Sequence, residues 1–145
     1  MHDTGLHDEA ARFFDAFVKA FETFDGQVVA RRYAAPYVSL RADGSLECFE
    51  SQATVAAYFQ RVLDNYRDSG CRSCRFDGLE VQALGRHCLL ATVTWELLNE
   101  HRQVLSAWRE SYSMRRVGAS LEIFASVDHV EAHVDVSPQN RKEES

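Results

Sequence analysis

The chain has 145 residues, of which 46% are hydrophobic and 26% charged, and its formal net charge is −6. These values are typical of one globular domain that is large enough to bury a core. The acidic balance and the absence of a basic stripe argue against nucleic-acid binding. No run of about 18 apolar residues predicts a membrane span, and the first residues lack the pattern of a secretory signal. We therefore expect a cytoplasmic protein.

The four cysteines predict neither disulfides nor a metal centre. Cys71 and Cys74 form a single C-x-x-C, whereas a structural zinc site needs a second pair or two histidines nearby. Cys48 and Cys88 are isolated in strand-like runs. In a reducing compartment such thiols stay free, so we expect small buried or half-buried side chains, no metal and no cofactor.

The first third of the chain predicts two helices. One begins near Asp8 and runs to about Thr23, and Gly26 is expected to end it in a left-handed conformation. Four phenylalanines recur on one face of this helix, at the spacing that marks a buried stripe: Phe13, Phe17, Phe21 and Phe24. A short second helix is expected to pass through Tyr33 and to close before Pro36.

A hairpin and a third helix follow. Tyr37–Glu50 alternates between apolar and polar residues on both sides of an Ala-Asp-Gly-Ser turn, which is a hairpin signal. Ser51 is a good N-cap for a helix that Gly70 ends.

Beyond Arg72 the apolar period changes from 3.6 to 2, which predicts strands. Three of them are about twice the usual length of ~5–6 residues: Cys88–Asn99, Val104–Val117 and Ser120–His133. Antiparallel strands of this length curve, and helices placed before strands indicate an α+β fold with the helices on one face of the sheet. We expect one domain over residues 1–134 and a polar, disordered tail over residues 135–145.

A family resemblance follows from these elements. The segment FDGQVVARRYAAPY (residues 24–37), the Ala-Asp-Gly-Ser hairpin, the capped helix and the meandering strands together resemble the NTF2-like superfamily, over about residues 7–131. That superfamily includes SnoaL-like polyketide cyclases and ketosteroid isomerases. The resemblance implies a cone: three N-terminal helices and a small hairpin pack on a strongly curved antiparallel sheet and enclose an apolar cavity. It also implies a homodimer that forms through the outer face of the sheet.

The catalytic carboxylates of two known groups in that superfamily have no counterpart here. Ketosteroid isomerases carry a general-base aspartate early in the first hairpin, where this chain has Tyr37-Val38-Ser39-Leu40. The Asp-Arg-Asp arrangement of limonene-epoxide-hydrolase-like proteins is also missing from the late strands. Both reactions are disfavoured.

Glu110 and His129 are the candidate catalytic residues. Residues two apart on a strand share a face, so Glu110 lies with Trp108 and Tyr112, and an apolar setting would make it a general base with a raised pKa. It could equally pair with an arginine on a solvent or dimer face. His129 ends an apolar stripe and could act at a pocket mouth, or it could be an exposed histidine without a role.

Six further residues are expected to contact a ligand. They are the tyrosines of the helix and hairpin rim, an aromatic wall residue and two neighbours of Glu110: Tyr33, Tyr37, Tyr58, Trp95, Arg109 and Tyr112. A shift of one residue in register would place Arg109 in the pocket instead of Glu110. The same shift on the last strand would place Asp128 there instead of His129.

Two functions remain open. One is the binding of a small apolar molecule in a cavity of about 300 Å³ or more, with SnoaL-like acid–base chemistry as an isomerase, cyclase or hydrolase. The other is a non-catalytic dimeric module whose cone is filled by its own aromatic side chains. Whether the protein is an enzyme stays open.

Overall fold

A computed structural model describes residues 4–130 and confirms the α+β arrangement. Its elements follow the predicted order of helices, hairpin, helix and long strands: α1 (Thr4–Phe21), α2 (Gly26–Ala30), β1 (Tyr33–Leu40), β2 (Leu46–Phe49), α3 (Gln52–Asp68), β3 (Ser73–Ala83), β4 (Cys88–Leu98), β5 (Val104–Val117) and β6 (Ser120–Asp128). The tail predicted over residues 135–145 lies outside the described residues.

The six strands form one curved sheet in the order β2-β1-β6-β5-β4-β3. All neighbours are antiparallel except β1 and β6, which run parallel. The β1–β2 hairpin thus extends the β3–β6 meander, and the predicted curved sheet is antiparallel except at this one junction. Helices α1 and α3 pack against the concave face.

The second helix is shorter than predicted, and Tyr33 lies on a strand. Helix α2 ends at Ala30 and β1 runs from Tyr33 through Pro36. Proline fits here because β1 bonds to β2 only from Tyr37 onward and pairs with β6 at Tyr33 and again from Val38. Pro36 therefore occupies a gap in the hydrogen-bond ladder, where no bond requires the N–H group that proline lacks.

Gly26 has a different role from the one predicted. The left-handed residue after α1 is Phe24, with φ of 52°, and Gly26 instead begins α2. A Cβ atom at Gly26 would lie 2.4 Å from the Ala56 carbonyl oxygen and 2.7 Å from the Gln60 nitrogen on α3. The Gln60 side chain bridges the same contact, since Oε1 accepts from the Gly26 N–H at 2.7 Å and Nε2 donates to the Phe24 carbonyl at 3.1 Å. A glycine is required because two helix backbones touch.

The core is built from α1 and the inner residues of β4 and β5. Phe14 is fully buried, and its ring centroid lies 5.4 Å from that of Tyr112, 5.7 Å from Phe76 and 6.0 Å from Trp95. On β4 the residues from Leu89 to Leu97 alternate between buried and half-buried, as the period-2 pattern predicts. Aromatic packing of this kind adds about 0.5–1.5 kcal/mol per pair beyond burial.

The Gly26→Ala substitution is expected to destabilise the protein by about 1–3 kcal/mol, because the added methyl group forces α2 away from α3. Denaturant unfolding measures the change. Gln27→Ala, at the adjacent exposed position, is the matched control and should stay within about 0.5 kcal/mol of the parent. Equal effects of the two substitutions would contradict the close contact.

Candidate functional site

The concave side of the sheet retains a cavity of about 110 Å³ between the strands and helices α1 and α3. All five tyrosines and both tryptophans of the chain line it. They are Tyr33, Tyr37, Tyr58, Tyr66, Tyr112, Trp95 and Trp108. The volume is well below the value of about 300 Å³ expected of a cavity that binds a small molecule, because Phe17, Phe21 and the rings of α3 occupy part of the hollow.

Of the eight residues predicted from the sequence, six line this cavity. The three rim tyrosines do so together: the ring centroid of Tyr33 lies 4.7 Å from that of Tyr37, and Tyr58 approaches both through Phe59. Trp95, Tyr112 and Glu110 form the opposite wall.

Glu110 points inward from β5 and receives hydrogen bonds from aromatic residues. Trp108 Nε1 donates to Glu110 Oε1 at 2.9 Å, and the Tyr112 hydroxyl donates to the same carboxyl group. Trp95 Nε1 in turn donates to the Tyr112 hydroxyl at 2.6 Å. The chain Trp95–Tyr112–Glu110 thus supplies polar partners to a carboxyl group in an otherwise apolar wall.

Asp128 lies directly opposite Glu110 on β6 and also lines the cavity. Burial raises the pKa of Glu110 to about 8, with repulsion from Asp128 as the second cause and the Trp108 hydrogen bond opposing both. Burial also raises the pKa of Asp128, while its hydrogen bond with Glu110 and the charge of Arg41 act in the opposite direction. Desolvation and the repulsion between the two carboxyl groups therefore both favour the protonated form of Glu110.

The tyrosines of the wall act as neutral hydrogen-bonding groups. Burial raises the pKa of Tyr33, Tyr37, Tyr66 and Tyr112 above the ordinary value. The Tyr37 hydroxyl lies 2.6 Å from Ser126 Oγ on β6, which anchors the rim of the cavity to the strand that carries Asp128.

Arg109 and His129 lie outside the cavity. The Arg109 guanidinium donates to Thr94 Oγ1 at 2.9 Å and to the Gly78 carbonyl at 3.0 Å, on the outer side of the sheet. His129 is exposed, and its Nε2 lies 2.8 Å from Ser111 Oγ. Arg109 alternates with the inward Glu110 and therefore faces away.

A β-bulge explains why Asp128 occupies the place expected for His129. Ser113 pairs with Ala125 but the next residue, Met114, pairs with Ile123, so Phe124 is an extra residue on β6. One extra residue in a strand places every later side chain on the opposite face of the sheet. The predicted stripe through Ala125, Val127 and His129 is therefore wrong after Ile123. The sequence around Phe124 contains no glycine or proline that would mark the bulge.

Metal binding receives no support from the described part of the chain. Residues 4–130 contain no group of three or more His, Cys, Asp or Glu side chains placed to hold an ion. Cys71 and Cys74 are buried and Cys88 is half-buried, as expected of free thiols, whereas Cys48 is exposed. Within the same residues, no helix is long and apolar enough to cross a membrane.

A curved sheet wrapped around helices with an interior cavity defines the NTF2-like, or cystatin-like, class of folds, and solved structures of that class superpose on this chain. Aln2 from a Streptomyces species has a TM-score of 0.71 at 15% identity, covering 88% of this chain and 92% of its own. An NTF2-like protein with a cystatin-like fold from Novosphingobium aromaticivorans scores 0.68 at 10% identity (86% and 81%). An NTF-2 like protein of unknown function from Shewanella oneidensis scores 0.66 at 12% identity (84% and 97%).

The chain belongs to the family described as NTF2-like protein (DUF6841), which its residues 8–131 match. The sequence matches no curated protein. The solved structures are too distant in sequence to transfer more than the fold.

Glu110 makes stability depend on pH in a defined direction. Its pKa is higher in the folded chain than in the unfolded one, so its protonated form favours folding. Its contribution to the free energy of unfolding is on the order of a few kcal/mol. The contribution is complete below about pH 4.5 and is lost as the pH rises to about 8. Glu110→Gln, which mimics the protonated acid, should flatten this fall and be more stable than the parent at about pH 9.

Urea unfolding between about pH 5 and pH 9 measures both slopes. Glu50→Gln removes the same charge at an exposed position and should retain the slope of the parent. If Glu110→Gln shows that slope as well, Glu110 is not the group that titrates.

Proposed function

We propose that the cavity binds a small, mainly apolar molecule and that the Glu110–Asp128 pair exchanges a proton with it. The observation that carries this proposal is the placement of two carboxyl groups, opposite each other on β5 and β6, in a wall that holds every tyrosine and tryptophan of the chain. In a core with a purely structural role, the burial of two carboxyl groups would lower the stability of the fold and serve no function.

The volume of the cavity limits the size of the ligand. Drug-sized molecules fill clefts of roughly 300–1,000 Å³, whereas a cavity of about 150 Å³ accepts one benzene ring. The cavity of about 110 Å³ is smaller than that, so it suits a body no larger than one ring. Its polar group would face Glu110 and Asp128, since the other walls are aromatic and aliphatic.

The two carboxyl groups suit opposite roles. Paired acids whose pKa values are driven apart supply a proton donor and an acceptor at one pH. Here protonated Glu110 is the acid and the Asp128 carboxylate is the base, and the two are adjacent across a strand pair. Removal of a proton beside a carbonyl group and its return at another atom is the simplest reaction that this geometry serves, as in an isomerase or a cyclase.

The filled-cone alternative accounts for only one end of the interior. Phe14, Phe76 and Trp95 pack against each other at the α1 side, and the hollow remains beside α3. Glu110 is also bonded within its own chain. Association into a homodimer stays a prediction, and the exposed Leu105 and Val127 alternate outward on the face that such a dimer would use.

Ligand binding can be tested with 4-fluorophenol, observed by fluorine NMR. We expect saturable binding that Val62→Phe weakens by at least about tenfold, because Val62 lines the cavity and the larger ring fills it. Val81→Phe makes the same change at a half-buried position away from the cavity and should alter the affinity by less than about twofold.

Equal affinities of Val62→Phe and the parent would place the probe elsewhere and contradict the assignment of the cavity. Melting curves of both variants verify that they are folded.

Proton transfer can be tested separately through the exchange of α-hydrogens of cyclopentanone in deuterated buffer, followed by proton NMR. The parent should accelerate the exchange, and Asp128→Asn and Glu110→Gln should each lower the rate by about 10²–10⁴-fold. Glu50→Gln should leave the rate unchanged. Binding of 4-fluorophenol without any exchange above buffer would reduce the proposal to ligand binding alone.

A further inference from the structure

A second cleft, of about 470 Å³, opens on the other side of α1 and shares no lining residue with the cavity. Its walls are the first half of α1, the junction between α2 and β1, and the start of β6. Polar atoms form most of its surface. Three arginines line it: Arg12 from α1, and Arg31 and Arg32 from the junction.

The two carboxylates of this cleft are held by other arginines. Glu9 forms a two-pronged ion pair with Arg116, with oxygen–nitrogen distances of 2.6 and 3.1 Å, and Glu122 pairs with Arg115 at 3.0 Å. Neither Arg115 nor Arg116 lines the cleft. The acidic groups are therefore already neutralised from outside.

None of the three lining arginines forms an ion pair within residues 4–130. Within residues 4–130, the guanidinium groups of Arg12 and Arg31 form no ion pair or hydrogen bond, and that of Arg32 lies 5.7 Å from the ring centroid of Phe13. Three arginines thus line one concavity of a chain whose net charge is −6. Like charges gathered without a counterion repel each other and favour an anionic ligand.

The position of two of these arginines is fixed by the fold. Arg32 accepts a hydrogen bond through its carbonyl from the Ile123 N–H at 3.0 Å, and Arg31 caps the end of α2. The backbone of the cleft is therefore tied to β6 on one side and to α2 on the other. Only the side chains need to adjust to a ligand.

We propose that this cleft binds the phosphate groups of a small organic phosphate of about mononucleotide size. Guanidinium groups match phosphate oxygens in two-pronged hydrogen bonds. A monocarboxylate would satisfy one arginine and leave two uncompensated, whereas a phosphate or pyrophosphate carries two or more charges. The volume lies within the range of about 300–1,000 Å³ that small-molecule clefts occupy, and Phe13 and Leu121 supply an apolar side for the rest of the molecule.

The test is calorimetric titration of the full chain with pyrophosphate and with AMP, at constant ionic strength. We expect saturable binding at one site, and Arg31→Glu should weaken it by at least about tenfold. Arg86→Glu changes the net charge equally at an exposed turn far along the chain and should alter binding by less than about twofold. Glu110→Gln should bind both ligands like the parent, which separates this cleft from the function proposed for the cavity.

Three outcomes would overturn the proposal. The first is the absence of saturable binding of either ligand by the parent. The second is equal weakening by Arg31→Glu and Arg86→Glu, which would show general charge attraction only. The third is binding of a phosphoserine peptide more than about tenfold tighter than AMP and pyrophosphate, which would assign the cleft to a protein partner.

Discussion

The cost of burying carboxyl groups is the constraint that organises the interior of this protein. The transfer of an ionised carboxylate without partners from water to a protein interior costs far more free energy than the transfer of a neutral acid does. Glu110 avoids most of that loss by keeping its proton, as its pKa of about 8 indicates, and by accepting a hydrogen bond from Trp108. Burial raises the pKa of Asp128 as well, and its hydrogen bond with Glu110 acts against that rise. The two carboxyl groups repel each other when both are charged, so their joint burial favours a retained proton.

The aromatic side chains divide the cone into a packed end and a hollow end. Phe14 fills the space between α1 and the sheet, where it meets Trp95 and Tyr112. At the other end Tyr33 and Tyr37 of β1, whose rings are in contact, line the cavity together with Tyr58 of α3. Tyrosine suits that position because its ring packs and its hydroxyl remains available for hydrogen bonding. The choice between a filled and a hollow cone is therefore not exclusive in this chain.

The alternation of residues was enough to predict most of the fold and the inner face of β4 and β5, because strands that are apolar on one side leave little freedom of register. The positions that sequence reasoning missed are those where tertiary contacts override local pattern. Gly26 resembles a helix terminator, yet it is a point of backbone contact with α3. Asp128 was assigned to the outer face because one extra residue at Phe124 changes the count. A bulge formed by ordinary residues has no local signature, so the sequence offers Asp128 only as the outcome of a one-residue shift in register.

The inner cavity and the outer cleft carry different charged groups because they differ in their access to water. The inner cavity holds acids and no arginine among its lining residues, and the raised pKa of Glu110 favours a bound proton in place of a cation there. The outer cleft holds arginines and is open to water, which screens their repulsion at moderate cost. Arg115 and Arg116 are adjacent on β5, yet each binds a different acid, Glu122 or Glu9, and these bonds connect β5 to β6 and to α1. The same two pairs that join these elements also remove the negative charge from the cleft, so its cationic character is a consequence of how α1 is attached to the sheet.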